Sequence, residues 1–504
     1  MYTLRQLRGG QRCPSGGTVR YRLASGRFRQ GRRTERMGVL LFTGGTVVTA
    51  DGSFEADVLV EDEKIVAVGA DISEEGVETV VDASGKLVMP GFIDAHTHMD
   101  MPFGGTMTAD DWATGTAAAV AGGTTMIVDF ALQEEGGTLA GAIETWTEKA
   151  RDKALTDYGF HVALTDLRDD VKMELPELAE KGVASVKIFM AYKGTPLYTE
   201  DEDLFEVLQL SKEAGVLVLV HAENGDVISK LQEQALARGD TAPRFHALTR
   251  PEKVEAEATN RAIRLAEVAG APILVVHVSC AAALEEVHRA HERGSTVYAE
   301  TCPQYFAFSY SDLAREGFEG AKYVCSPPLR DESNRDALWN GLRVGDLQIF
   351  GSDHCSFNYR EQKELGVDDF TLIPNGLPGA EERAMTLWTL GVRKGRLSEN
   401  QFVAALSTNQ ARIYGAYPRK GALVPGADAD VVLWDPEMTT RATAENRHGN
   451  VDYTPYEGMT FNGGPTSVYV RGNLVYKDGE VVGEHGSGRF IERSFSAPVL
   501  GARV

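Results

Sequence analysis

From Val39 onward the hydrophobic residues fall in short runs broken by Gly and Asp, as in VLLFTGGTVVT, ADVLVEDEKIVAVG and TVVDASGKLVMPG. Short stretches of alternating apolar and polar residues with turn formers between them predict strands joined by tight turns. The same texture returns late in the chain, in GADADVVLWDP and TSVYVRGNLVYKDGEVVG. Two β-rich ends separated by several hundred residues predict one small β-sandwich assembled from both.

Between these ends, β-branched apolar runs alternate with longer helical stretches, the pattern of βα units around a parallel sheet. Eight such runs occur: KLVMPGFIDAH, TTMIVDF, YGFHVALT, ASVKIFM, VLVLVHAE, PILVVHVSC, TVYAETCP and LQIFGSDH. Eight parallel strands close a barrel. The predicted fold is therefore α/β, a (β/α)8 TIM-like barrel over residues 90–418 plus a small sandwich from 37–89 and 419–485, with a tail at 486–504.

Composition agrees with a large packed core: 504 residues, 43% hydrophobic and 25% charged. The net charge of −22 conceals an asymmetry, because residues 1–36 contain ten arginines and one acid and leave the rest at −31. So acidic a body argues against nucleic acid as a partner. The head has no hydrophobic periodicity and is expected to be a disordered arm, or sequence lying upstream of a start at Met37. Five cysteines without a CxxC pair suit a reducing compartment. No apolar run approaches the roughly 20 residues of a membrane span, so a cytoplasmic protein without membrane partners is expected.

The barrel decides where to look for chemistry, since active sites of this architecture lie at the C-terminal ends of the strands. His96 and His98 end the first run, Lys187 sits in the fourth, His221 ends the fifth, His277 lies in the sixth and Asp353 ends the eighth. Residues i and i+2 of a strand face the same side, so both histidines of AHTH can enter one cavity. Each alone has a plainer reading: a hydrogen-bonded core histidine, a buried lysine with a suppressed charge, an aspartate capping the next segment. The plainer reading is adopted for His161, His246, His288, His291, His354, His448 and His485. Six ligand-type side chains on five strands instead point to a metal site.

Those residues carry a resemblance. PGFIDAHTHMDMPFGG, GGTTMIVDF, VKIFMAYKG, VHAENGDV, VVHVSCA, ETCPQY, SPPLR, GSDHCSFN and IPNGLPG resemble, in order and spacing, the hydantoinase/dihydropyrimidinase branch of the amidohydrolase superfamily, and within it the bacterial D-hydantoinases. The resemblance covers about Val39 to Met459. It implies two Zn2+ per subunit, one held by His96, His98 and Asp353 and the other by His221 and His277, bridged by carboxylated Lys187 and a hydroxide. It further implies Asp353 and Tyr192 as catalytic residues, Tyr192, Ser326 and Asn375 as substrate contacts, and a homotetramer.

The chemistry explains the lysine. A neutral ε-amine can capture carbon dioxide, and the carbamate formed is a long-armed carboxylate able to reach two cations. Burial favours that neutral amine. Paired cations lower the pKa of a shared water toward about 7; Asp353 would move its proton to the departing ring nitrogen and Tyr192 would stabilise the oxyanion. The expected activity is hydrolytic opening of a small cyclic ureide or imide, a hydantoin or 5,6-dihydropyrimidine, to an N-carbamoyl amino acid. The loops around Met101, Phe103, Phe189 and KGTPLYTED are apolar enough for bulky ring substituents, favouring hydantoins. The competing readings are an allantoinase- or dihydroorotase-like enzyme and a non-catalytic scaffold homologue, which the intact ligand set opposes.

Overall fold

The computed structural model describes residues 38–495; the Arg-rich head and the last residues of the tail lie outside them. Seven strands precede the barrel: β1 (Leu40–Thr43), β2 (Thr46–Val48), β3 (Ser53–Glu55), β4 (Asp57–Glu61), β5 (Lys64–Gly69), β6 (Thr79–Asp82) and β7 (Leu87–Pro90). The chain then runs through β8 (Phe92–Thr97), a small hairpin of β9 (Pro102–Phe103) and β10 (Thr106–Met107), β11 (Thr124–Leu132), β12 (Asp157–Ala163), β13 (Ser185–Phe189), β14 (Leu217–His221), β15 (Ile273–Val275), β16 (Val297–Thr301) and β17 (Ile349–Phe350). It finishes with β18 (Val431–Arg441), β19 (Thr460–Val470), β20 (Asn473–Lys477) and β21 (Glu480–Val481).

Both chain ends build the sandwich. One sheet has the order β5-β4-β1-β6 and the other β21-β20-β19-β18-β7-β2-β3, so that late strand β18 pairs antiparallel with early strand β7. Phe42, Val58 and Val60 of the first sheet share a core with Val47, Val431, Leu433 and Tyr469 of the second. Complete burial of such side chains stabilises the fold by roughly 1.5–3 kcal/mol each.

The barrel sheet is parallel, in the order β17-β16-β15-β14-β13-β12-β11-β8. The eight predicted runs each supply one of its strands, with one difference. KLVMPGFIDAH is two strands, β7 in the sandwich and β8 in the barrel, divided at Gly91. A side chain there would collide with Thr125 and Asp430, so the chain crosses between layers where only glycine fits. The last strand is short, and the segment after it closes the barrel: His354 pairs with Thr97, accepts from His98 N at 2.8 Å and donates to the carbonyl of His96 at 3.3 Å.

Helices cover the outside. Asp201–Ala214, between β13 and β14, buries Leu204, Val207, Leu208 and Ser211, one stripe at helical spacing, and stops at Gly215 in the left-handed conformation, φ 68°. Buried cations anchor the layers. Arg383 donates to the carbonyls of Ile93 and Phe350, 2.8 Å each, tying the first barrel strand to the last. Lys420 joins Asp157 of the barrel to Asp430 beside the sandwich, at 2.6 and 2.7 Å. Residues of the tail return beneath the barrel, where Ile491 and Arg493 are buried and Arg493 donates to the carbonyls of Phe160 and Tyr414. Among the described residues no helix is long and apolar enough to cross a membrane, and the four described cysteines are free and buried.

Candidate active site

The strand ends converge as barrel geometry requires. One cleft, enclosing about 630 Å³ counted with its open mouth, is lined by His96, His98, Lys187, Tyr192, His221, His277, Ser326, Asp353 and Asn375 together. Its outer wall is apolar, with Met101, Phe103, Phe189 and Leu197.

His96 and His98 leave β8 beside a register shift against β11, where Asp94 pairs with Ile127 and Thr97 with Asp129. Bulges of this kind re-aim side chains at barrel rims. The segment between and after the two histidines is pinned by buried Asp129, which accepts from Thr97 Oγ1 at 2.8 Å, Met99 N at 2.9 Å and Trp146 Nε1 at 2.9 Å. Nε2 of His96 and of His98 then approach Oδ1 of Asp353 at 3.2 and 3.4 Å. These three residues are the one group of His, Cys, Asp or Glu, among the described residues, whose ligand atoms cluster closely enough to hold a metal ion.

On the far side, the rings of His221 and His277 lie 4.4 Å apart, and those of His96 and His277 5.5 Å. Lys187 reaches in from β13, its Nζ 4.9 Å from the Phe130 ring and 5.1 Å from the Phe189 ring. No carboxylate pairs with it at ion-pair distance among the described residues, and burial brings its pKa down to about 8. A buried amine without a carboxylate fits the bridging role that the resemblance implies for it, where the neutral form is the reactive one.

Electrostatics separate the two histidines of β8. Burial opposes charge on His96, but Glu300 and Asp353 outweigh it and lift its pKa to about 9. Burial dominates at His98 and lowers its pKa to about 4. Asp353 stays far below the ordinary carboxylate range: burial would raise it, and the charge and hydrogen bonds of His96, with the hydrogen bond of His98, overcome that. Burial pushes the Tyr192 hydroxyl well up, so it remains a proton donor at neutral pH. Tyr192, His277 and Asp353 all have positive φ, 63°, 41° and 53°. Non-glycine residues held there cost about 1–3 kcal/mol each and gather at functional sites.

Residues 87–475 match the profile of the amidohydrolase family. The chain belongs to that family. This amidohydrolase is 50% identical over 455 residues to a D-hydantoinase of Geobacillus stearothermophilus, covering 90% of this chain and 96% of that one. A dihydropyrimidinase of Rattus norvegicus is 44% identical over 472 residues, 92% of this chain and 91% of its own. The crystal structure of a dihydropyrimidinase from Brevibacillus agri NCHU1002 superposes with a TM-score of 0.89 at 51% identity, covering 91% of this chain and 99% of that one.

Two residues of the amidohydrolase site have no role in the sequence reading. Glu300, one residue before the end of β16, holds His96 by Nδ1 at 2.5 Å; Glu223 follows β14 and holds His221 by Nε2 at 2.8 Å. Both are fully buried. Each fixes which ring nitrogen is left for the cleft. Position at a strand end was the available signal, Glu300 lying in ETCPQY and Glu223 in VHAENGDV. By contrast, His161 is satisfied inside the barrel by Ser185 Oγ at 2.5 Å and the Ala95 carbonyl at 3.0 Å.

Proposed function

We propose that this amidohydrolase opens the ring of hydantoins or 5,6-dihydropyrimidines at the amide bond, yielding N-carbamoyl amino acids. The observation that carries the reading is the meeting of six ligand-type side chains with Tyr192, Ser326 and Asn375 in one cleft, in a chain half identical to a D-hydantoinase over most of its length.

The donor set suits two divalent cations, zinc by its nitrogen and carboxylate ligands. His96, His98 and Asp353 would hold one and His221 and His277 the other, with Lys187, as its carbamate, between them. When bound, such a pair supplies Lewis acidity that brings water toward a pKa of about 7. The protein's own groups do the rest. Asp353, whose carboxyl stays ionised, accepts the attacking water's proton and returns it to the ring nitrogen as the C–N bond breaks. Tyr192 donates its O–H to the oxygen that gains charge as the carbonyl becomes tetrahedral. Backbone groups at Ser326 and Asn375 pair with the ring's adjacent N–H and C=O. Met101, Phe103, Phe189 and Leu197 exclude water and meet substituents on the ring carbon, which favours 5-substituted hydantoins.

The test is ring opening by zinc-loaded enzyme of dihydrouracil, a 5-aryl hydantoin, allantoin and dihydroorotate. Turnover of the first two is expected. Turnover confined to the last two would overturn the substrate assignment and leave the ligand assignment standing, which metal counting by mass spectrometry and anomalous diffraction addresses separately.

A further inference from the structure

Lys363 opens a short turn at Lys363–Gly366, outside the cleft, and is fully buried. Its ammonium has no acidic partner among the described residues. It donates instead to three backbone carbonyls: Val324 at 3.0 Å, Pro374 at 2.6 Å and Gly376 at 2.8 Å. Three donors meet three acceptors, and the ring of Phe357 lies 5.6 Å from Nζ. The acceptors flank the segments assigned to the substrate: Pro374 and Gly376 lie on either side of Asn375, and Val324 lies two residues before Ser326. Gly376 N also donates to the carbonyl of Val324 at 3.0 Å, joining the two segments directly. Gly376, at φ 154°, has no room for a side chain, which would strike Cys355. Ser326 is fixed from its other side by His246 Nε2, 3.1 Å from its Oγ.

We propose that Lys363 is a positioning residue for substrate recognition, a buried ammonium that clamps the Val324–Ser326 and Pro374–Gly376 segments at the spacing a cyclic amide requires. The inference rests on the ring-contact role given above to Ser326 and Asn375. Lys363 touches neither substrate nor ligands, so it governs ring binding and leaves the bond-breaking groups unchanged. A buried charge with no counter-ion is costly unless dipoles solvate it, and burial does lower the lysine's pKa, to about 7. The two thiols facing it, Cys325 and Cys355, oppose that shift, and its charge in turn bears on buried His246.

Lys363→Met keeps the apolar stem and removes all three donors; Lys363→Gln retains two. In the metal-loaded enzyme, KM for whichever ring substrate the wild type hydrolyses should rise at least tenfold in Lys363→Met and less in Lys363→Gln. In both, kcat should stay within about threefold and metal content should be unchanged. Hydrogen exchange in peptides covering 324–327 and 374–377 should accelerate at least tenfold in Lys363→Met, a readout independent of substrate. Unchanged exchange would overturn the clamp. Faster exchange with an unchanged KM would keep the clamp and overturn the ring-contact role of the two segments. Failure of both variants to fold would overturn the proposal, because a clamp confined to two loops leaves the barrel core intact.

Discussion

Nε2 of His221 meets Oε2 of Glu223 at 2.8 Å, so Nδ1 is the nitrogen left for the cleft. His96 is the mirror case: Glu300 takes Nδ1 at 2.5 Å and Nε2 is left. In each half of the candidate ligand set a carboxylate thus orients one histidine.

Glu223→Gln and Glu300→Gln should each weaken metal binding by roughly 10- to 100-fold. An amide can present its NH2 to the same nitrogen and favour the wrong tautomer. Competition with a chelator, read as residual bound metal, checks this; wild-type retention in both variants would show that the carboxylates only pack.

Lys187→Ala should lose activity and bound metal together, and added acetate or propionate should restore part of each by occupying the vacated position. Lys187 lies against Phe130 and Phe189 with no carboxylate at ion-pair distance among the described residues, so the truncation breaks no ion pair. An alanine variant that still holds two tightly bound ions would remove the lysine from the bridge.

Tyr192→Phe and Asp353→Asn should differ in kind. The tyrosine change would delete the proposed oxyanion donor, lowering kcat by about 100- to 1,000-fold with metal content intact. The aspartate change should cost more, because it would alter a proposed ligand and the proposed proton carrier at once. Equal and mild losses would remove both residues from the reaction centre.

Asp110 provides a pH test outside the candidate ligand set itself. It accepts from His354 Nε2 at 3.0 Å and Asn450 N at 2.6 Å; burial would raise its pKa, but these bonds and the charge of His354 bring it down to about 2. A folded-state value below the unfolded one of 3.8 gives stability that is present above pH 3.8 and is lost as pH falls toward 2. Between pH 5 and pH 3 this one carboxyl should cost the wild type about 1 kcal/mol of stability. Melting curves across that range report it, and a stability unchanged between pH 5 and pH 3 would contradict it.

The eight barrel runs were legible because buried parallel strands are continuous and β-branched, as VLVLVHAE is. The break at Gly91 was not, since LVMPGFID is apolar on both sides and the obstruction comes from Thr125 and Asp430, distant in sequence. Candidate ligands were readable from residue type at strand ends. Glu223 and Glu300 were harder, because a carboxylate behind a histidine looks in sequence like any other acid. Lys363 was invisible: its partners are carbonyls, which every residue has, and nothing in REQKELG distinguishes it from a solvated surface lysine.

The seam between Thr97 and His354 sets an order of events in synthesis. His96 and His98 emerge early, whereas Asp353, the residue they converge on, leaves the ribosome only after all eight barrel strands. Until the segment after β17 docks against β8, His96, His98 and Asp353 are not assembled, so a metal ion held by all three would report a completed barrel.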